Sequence, residues 1–203
     1  MKLPIKIIFS AALVAVVLAC TVPAAAADHY LIADQFNNRV IEADHRGNIV
    51  WHFGLGPADF SPASIIGVND AQRVGEFTLM AGTGTPGGQP EAPNCTNPSG
   101  CPDDRVILVD RGGNIVWQYG QFGVAWHTGP SPTRAVRLRH GHTLISDQYN
   151  HRVIEVNHAK HIVHTWGKLD SLGYNAENVA DGGLNSPYDA KAVGDYTGLT
   201  PPF

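Results

Sequence analysis

Apolar and polar positions alternate along this chain in short runs, and the runs return in the same order. Tyr30-Leu31-Ile32-Ala33 leads into Asp34-Gln35-Phe36-Asn37-Asn38-Arg39-Val40-Ile41-Glu42-Ala43, then Asn48-Ile49-Val50-Trp51-His52-Phe53-Gly54. Thr143-Leu144-Ile145-Ser146 leads into Asp147-Gln148-Tyr149-Asn150-His151-Arg152-Val153-Ile154-Glu155-Val156, then His161-Ile162-Val163-His164-Thr165-Trp166-Gly167. A partial copy lies between them, Arg105 to Asp110 and Asn114 to Gly120. A period of two predicts strands, so each copy reads as strand, hairpin, strand, turn, strand. Asn37-Asn38 and Asn150-His151 fall at the hairpin tips, where Asn tolerates left-handed backbone. Asp34 then faces Arg39, and Asp147 faces Arg152, as exposed pairs worth about 0–1 kcal/mol each. In the third strand Ile49, Trp51 and Phe53 share a face, as do Ile115, Trp117 and Tyr119, and Ile162, His164 and Trp166. That face is apolar and suited to packing sheet on sheet, with Trp51 and Trp117 as core residues.

The terminal glycines set the period. Gly54 to Gly120 is 66 residues and Gly120 to Gly167 is 47, so the first interval carries 19 extra. A period in the forties with strands and no helical pattern predicts blades of a β-propeller. The blocks D-Q-x-N-x-R-[VI]-I-E-V and N-x-I-V-W-x-[FY]-G resemble the NHL-repeat propellers over roughly residues 28–195. The resemblance implies an all-β propeller with blades of about 45 residues, near 30–54, 65–120 and 132–167, plus an aborted blade over 184–203. That is about three blades and a part, where closed rings use about four to eight. The expectation is an open ring, either a truncated longer propeller or one completed to six blades by a second copy.

Each blade's innermost strand is expected beside the central channel, at Ile65–Gly75, Pro132–Gly141 and Leu184–Gly194, with Tyr188 to Val193 as the last. Asp70, Arg134 and Asp189 occupy equivalent places there and are the binding candidates at one channel mouth. The alternative is that they pair with each other or satisfy backbone groups.

Composition adds a few constraints. Residues 1–27 read as an export signal, with Lys2 and Lys6 ahead of an apolar run and small residues through Ala27. Val17-Leu18-Ala19-Cys20 also resembles a loose lipobox, so soluble export competes with lipid anchoring at Cys20. Without the signal 12 basic and 18 acidic residues remain, net −6, and no basic stripe exists to follow phosphates, which argues against nucleic acid. The extra residues fall around Gly82–Asp103. Cys95 and Cys101 in that loop, in an exported chain, predict a disulfide. Of the ten histidines, His161 and His164 fall on opposite faces of a strand and His158 in the turn before it, whereas His140 and His142 share a face. They are weak metal candidates, because spacing fixes no carboxylate or third His beside them, and no cofactor is expected.

No compact catalytic motif occurs. Two functions follow: an exported, non-catalytic binding or scaffold module for a protein, glycan or small ligand; or a propeller enzyme (lyase, hydrolase or arylsulfotransferase-like), whole or as a fragment. Periplasmic or extracellular placement follows from the signal, with membrane attachment only through Cys20.

Overall fold

A computed structural model describes residues 29–124, 128–174, 177–180 and 182–195. The expected export signal, Cys20 and the end of the expected aborted blade, 196–203, lie outside the described residues. The architecture is all-β: three antiparallel sheets, with no α-helix among the described residues.

The first sheet has the order β1 (His29–Asp34), β2 (Arg39–Asp44), β3 (Ile49–Phe53). The middle sheet runs β4 (Val68–Val74), β5 (Phe77–Thr85), β6 (Cys101–Val109), β7 (Ile115–Gly120). The third runs β8 (Pro132–Arg137), β9 (Thr143–Asp147), β10 (Arg152–Val156), β11 (Ile162–Gly167). In every sheet neighbours in sequence are neighbours in space, as short connections dictate.

The alternation sends successive side chains of one strand into different cores. Leu79, Ala81, Val106 and Trp117 of the middle sheet pack against Ala135, Ile145, Ile154 and Val156 of the third. Met80, Ile107 and Val109 point the other way, onto Val40 and Phe53 of the first, with Ile65 and Val68. The middle sheet is thus apolar on both faces and sits between the other two. A further cluster of Val136, Leu138, Leu144 and Val153 on the third sheet's far face is covered by Leu184, Ala190 and Ala192.

Successive sheets are joined by one repeated contact. Trp51 Nε1 donates to the carbonyl of Arg111 in the middle sheet's β6–β7 turn (3.0 Å). Trp117 Nε1 donates to the carbonyl of His158 in the matching turn of the third sheet (2.9 Å). Arg73 stacks over Trp51 and Arg137 over Trp117, at 5.0 and 4.9 Å. Trp117 is buried as expected, whereas Trp51 is half-buried at the margin of its core.

The hairpin tips are single 3-10 turns, Gln35–Asn37 and Gln148–Asn150, each closed by a left-handed residue. In the first that residue is Asn38; in the second it is His151.

Two expectations need correcting. Tyr188–Val193 is not a strand: no described strand pairs with it, so its backbone stays irregular. It lies along the third sheet, where Thr133 Oγ1 donates to the Tyr188 carbonyl (2.8 Å). The loop at Gly82–Asp103 is also shorter than it reads, because β5 and β6 continue to the pair Thr85↔Cys101. Only residues 86–100 form the connection, and Cys95 and Cys101 are bonded across its base, Cα to Cα 5.9 Å.

Candidate functional site

The expected binding set does come together. Arg134 Nη1 lies 3.2 Å from Asp70 Oδ1, and its Nε 3.8 Å from Asp189 Oδ2. Asp70 also accepts the Ala135 amide (3.2 Å), and Lys191 holds Asp189 at 2.5 Å. Burial pushes the Asp70 carboxyl above its ordinary range, against the Ala135 amide and the Arg134 charge. The guanidinium sits 5.7 Å over Tyr188. These groups are paired mainly with each other, which makes the set a clamp between β4, β8 and residues 188–191.

The hairpin pairs are present, Arg39 to Asp34 and Arg152 to Asp147, both 2.7 Å. The second is not exposed as expected: the Asp147 side chain is fully buried and also accepts the Ser131 amide (2.7 Å) and Asn150 Nδ2 (2.8 Å). In the middle sheet the repeat arginine is Arg105, paired in register with Gly82 and not with an aspartate. Its carboxylate comes from Asp103, two residues earlier in the same strand, which also accepts the Ile66 amide. Arg105 is 1% exposed and gives further bonds to the carbonyls of Ser64 (2.7 Å) and Pro62 (3.1 Å). Next to this pair, the buried Asp104 carboxyl has no hydrogen-bond partner among the described residues, and its φ is +60°. Burial, then the charges of Asp103 and Asp147, raise it to about 8.

The candidate with open chemistry is a corner of the third sheet. His140 sits in the β8–β9 turn and His142 at that turn's exit, so the turn gathers them and strand alternation does not. His140 Nε2 lies 3.0 Å and His142 Nδ1 2.6 Å from one oxygen, Oε1, of Glu155 on β10. The two rings meet edge to face, centroids 4.4 Å apart. Burial raises the Glu155 carboxyl, but the two histidine hydrogen bonds and charges outweigh it and leave it lowered. Beside them opens a cleft of ≈ 550 Å³ lined by Arg139, His140, Val193, Gly194 and Asp195.

Glu155 is the residue that sequence reasoning missed. Its signal was in the repeat: His29 stands five residues before Asp34 and His142 five before Asp147. The register pairs Leu31 with Glu42 and Leu144 with Glu155, which brings each His beside its Glu. His158 and His164 do not join this group. Among the described residues, only His140, His142 and Glu155 gather ligand atoms within 4.8 Å of one another.

No protein-family model matches the chain, and no curated protein matches it. Among solved structures it is similar to a crystal structure of a protein of unknown function from Bacteroides caccae, with 12% identity and a TM-score of 0.31. The match covers 72% of this chain and 60% of that one.

Proposed function

We propose that the chain carries NHL-type β-propeller blades and works as an exported, non-catalytic binding module for a protein, glycan or small ligand. The observation that supports this is the repeated tie between sheets. Trp51 to the Arg111 turn and Trp117 to the His158 turn relate successive sheets in the same way, as blades around an axis are related. In that arrangement β4 and β8 are the inner strands, and they pack on each other. The Cys95–Cys101 bridge fits an oxidising compartment and so supports export.

The binding surface is the cleft between the β8–β9 turn and residues 193–195, which presents the Arg139 cation and the Asp195 carboxylate. The exported chain is to be titrated against an immobilised glycan panel and a peptide library. Saturable binding that Arg139→Glu abolishes is the expected outcome. Binding of equal strength by that variant overturns the cleft as the site, and multiple-turnover conversion of a bound compound overturns the non-catalytic reading. A second copy of the chain is a further proposed partner, completing a six-bladed ring over the exposed Ile162, Val163 and Trp166 of β11. Light scattering that returns a monomer at high concentration removes it.

A further inference from the structure

We infer that His140, His142 and Glu155 form a binding site for a divalent transition-metal ion of the zinc type, with a fourth coordination position open towards the cleft. This stands independently of the propeller reading, because it needs only the third sheet.

The case rests on comparing the same corner in two sheets. In the first sheet His29 Nδ1 lies 2.8 Å from Glu42 Oε1, the counterpart of His142 Nδ1 at 2.6 Å from Glu155 Oε1. The second oxygen of Glu42 is taken by two arginines, Arg73 on β4 and Arg111 in the β6–β7 turn. That corner is a closed salt-bridge cluster, and guanidinium groups carry no lone pair to give a metal.

Among the described residues no arginine is paired with Glu155 in the third sheet. By the alignment of the inner segments, Ala192 stands where Arg73 would. Arg137, the β8 counterpart of Arg73, is turned onto Trp117 of the middle sheet and donates to the Gly141 carbonyl (2.9 Å). Among the described residues, nothing donates a hydrogen bond to Glu155 Oε2. The β8–β9 turn is longer than the two-residue β4–β5 turn, and the extra length brings in His140. A cation-neutralised carboxylate has become a carboxylate faced by two imidazoles.

Two imidazoles and one carboxylate are a ligand set that zinc uses, and it leaves one position for water or a bound ligand. Bonds of about 2.0–2.2 Å in tetrahedral geometry put ligand atoms about 3.3–3.6 Å apart. The ring nitrogens now stand 3.0 and 2.6 Å from the shared oxygen, so the ion needs the group to open by under about 1 Å. His140 lies in an exposed turn and also lines the cleft, which gives both that freedom and an entry path. The fourth position suits an anionic donor such as a carboxylate or phosphate, held next to Arg139.

The test uses untagged, chelator-treated chain titrated with Zn²⁺ by calorimetry and with Co²⁺ by visible absorption. One ion per chain, with the intense d–d bands of four-coordinate Co²⁺, is expected. His140→Ala and Glu155→Gln are each expected to weaken binding at least tenfold, with circular dichroism unchanged. His29→Ala, at the closed corner, leaves it unchanged. Failure to bind Zn²⁺ stoichiometrically overturns the proposal. So does uptake that survives Glu155→Gln, or that is lost only in a His158→Ala, His161→Ala chain. If His142→Ala fails to fold, His140→Ala and Glu155→Gln still decide.

Discussion

The middle and third sheets solve one problem from different positions. Each must neutralise the repeat arginine and also satisfy a backbone amide as the chain enters its first strand, β4 or β8. In the third sheet a single residue does both, Asp147 at the end of β9, holding Arg152 and the Ser131 amide. In the middle sheet that register position is Gly82, and Asp103 reaches in from β6 to hold Arg105 and the Ile66 amide. A Cβ on Gly82 would come within 2.9 Å of the Asp103 carboxylate and 2.5 Å of Ile65. The glycine is the space the relocated carboxylate occupies. What the fold preserves is a charge at a point in space, not a residue at a place in the repeat.

The strongest way to break this equivalence is to remove the buried cation. Arg105→Leu strands the Asp103 carboxylate in a dry interior and is expected to cost about 3–5 kcal/mol in urea unfolding. A cost below 1 kcal/mol would mean that Asp103 does not need its partner.

Next in size is Gly82→Ala, expected to cost about 1–3 kcal/mol by overpacking against Ile65 and Asp103. The sharper form is the swap. Gly82→Asp and Asp103→Gly should each destabilise the chain, and the double variant should cost clearly less than their sum, as coupled neighbours do. Additivity would show that the two sites are unrelated.

A pH-dependent effect comes from Asp104, which the relocation leaves buried and without a hydrogen-bond partner among the described residues. Its carboxyl titrates near 8 in the folded chain against 3.8 as the ordinary value, so the folded state keeps a proton that the unfolded chain releases. Stability therefore falls as pH rises through that window. Asp104→Asn should flatten the fall and raise the thermal midpoint at pH 8, by about 2–4 °C for each kcal/mol regained in a chain this size. An unchanged pH profile would place the charge elsewhere. The smallest effect is expected at the first sheet, where Arg39 is 34% exposed and Arg39→Ala should cost about 0–1 kcal/mol.

These particulars show what was legible beforehand. Strands, register and the Arg39/Arg105/Arg152 series follow from alternation and recurrence, which are local in the chain. The disulfide follows from spacing, and the convergence of Asp70, Arg134 and Asp189 from equivalent placement. Asp103 was not legible, because its role depends on empty space at Gly82 across a strand pair. Glu155 was hidden for a related reason: reading the hairpin for its Asp–Arg mouth left the far end of the ladder, where Leu144 pairs with Glu155, out of view. Tyr188–Val193 read as a strand because it repeats the sequence of β4, yet hydrogen bonding needs a neighbour that sequence pattern alone does not provide.

The tryptophan ties between sheets also carry information about time. Trp51 cannot complete its bond until the β6–β7 turn exists, and Trp117 cannot until the β10–β11 turn does. Each indole is therefore a built-in sensor of the next sheet's arrival, so that emission from the two residues follows two separate events as the chain assembles. Sheets joined only through nearest neighbours can order one after another. A ribosome releasing the chain from its N-terminus would leave Trp51 waiting for the 60 residues of synthesis up to Arg111, a delay of several seconds at about 5–20 residues per second.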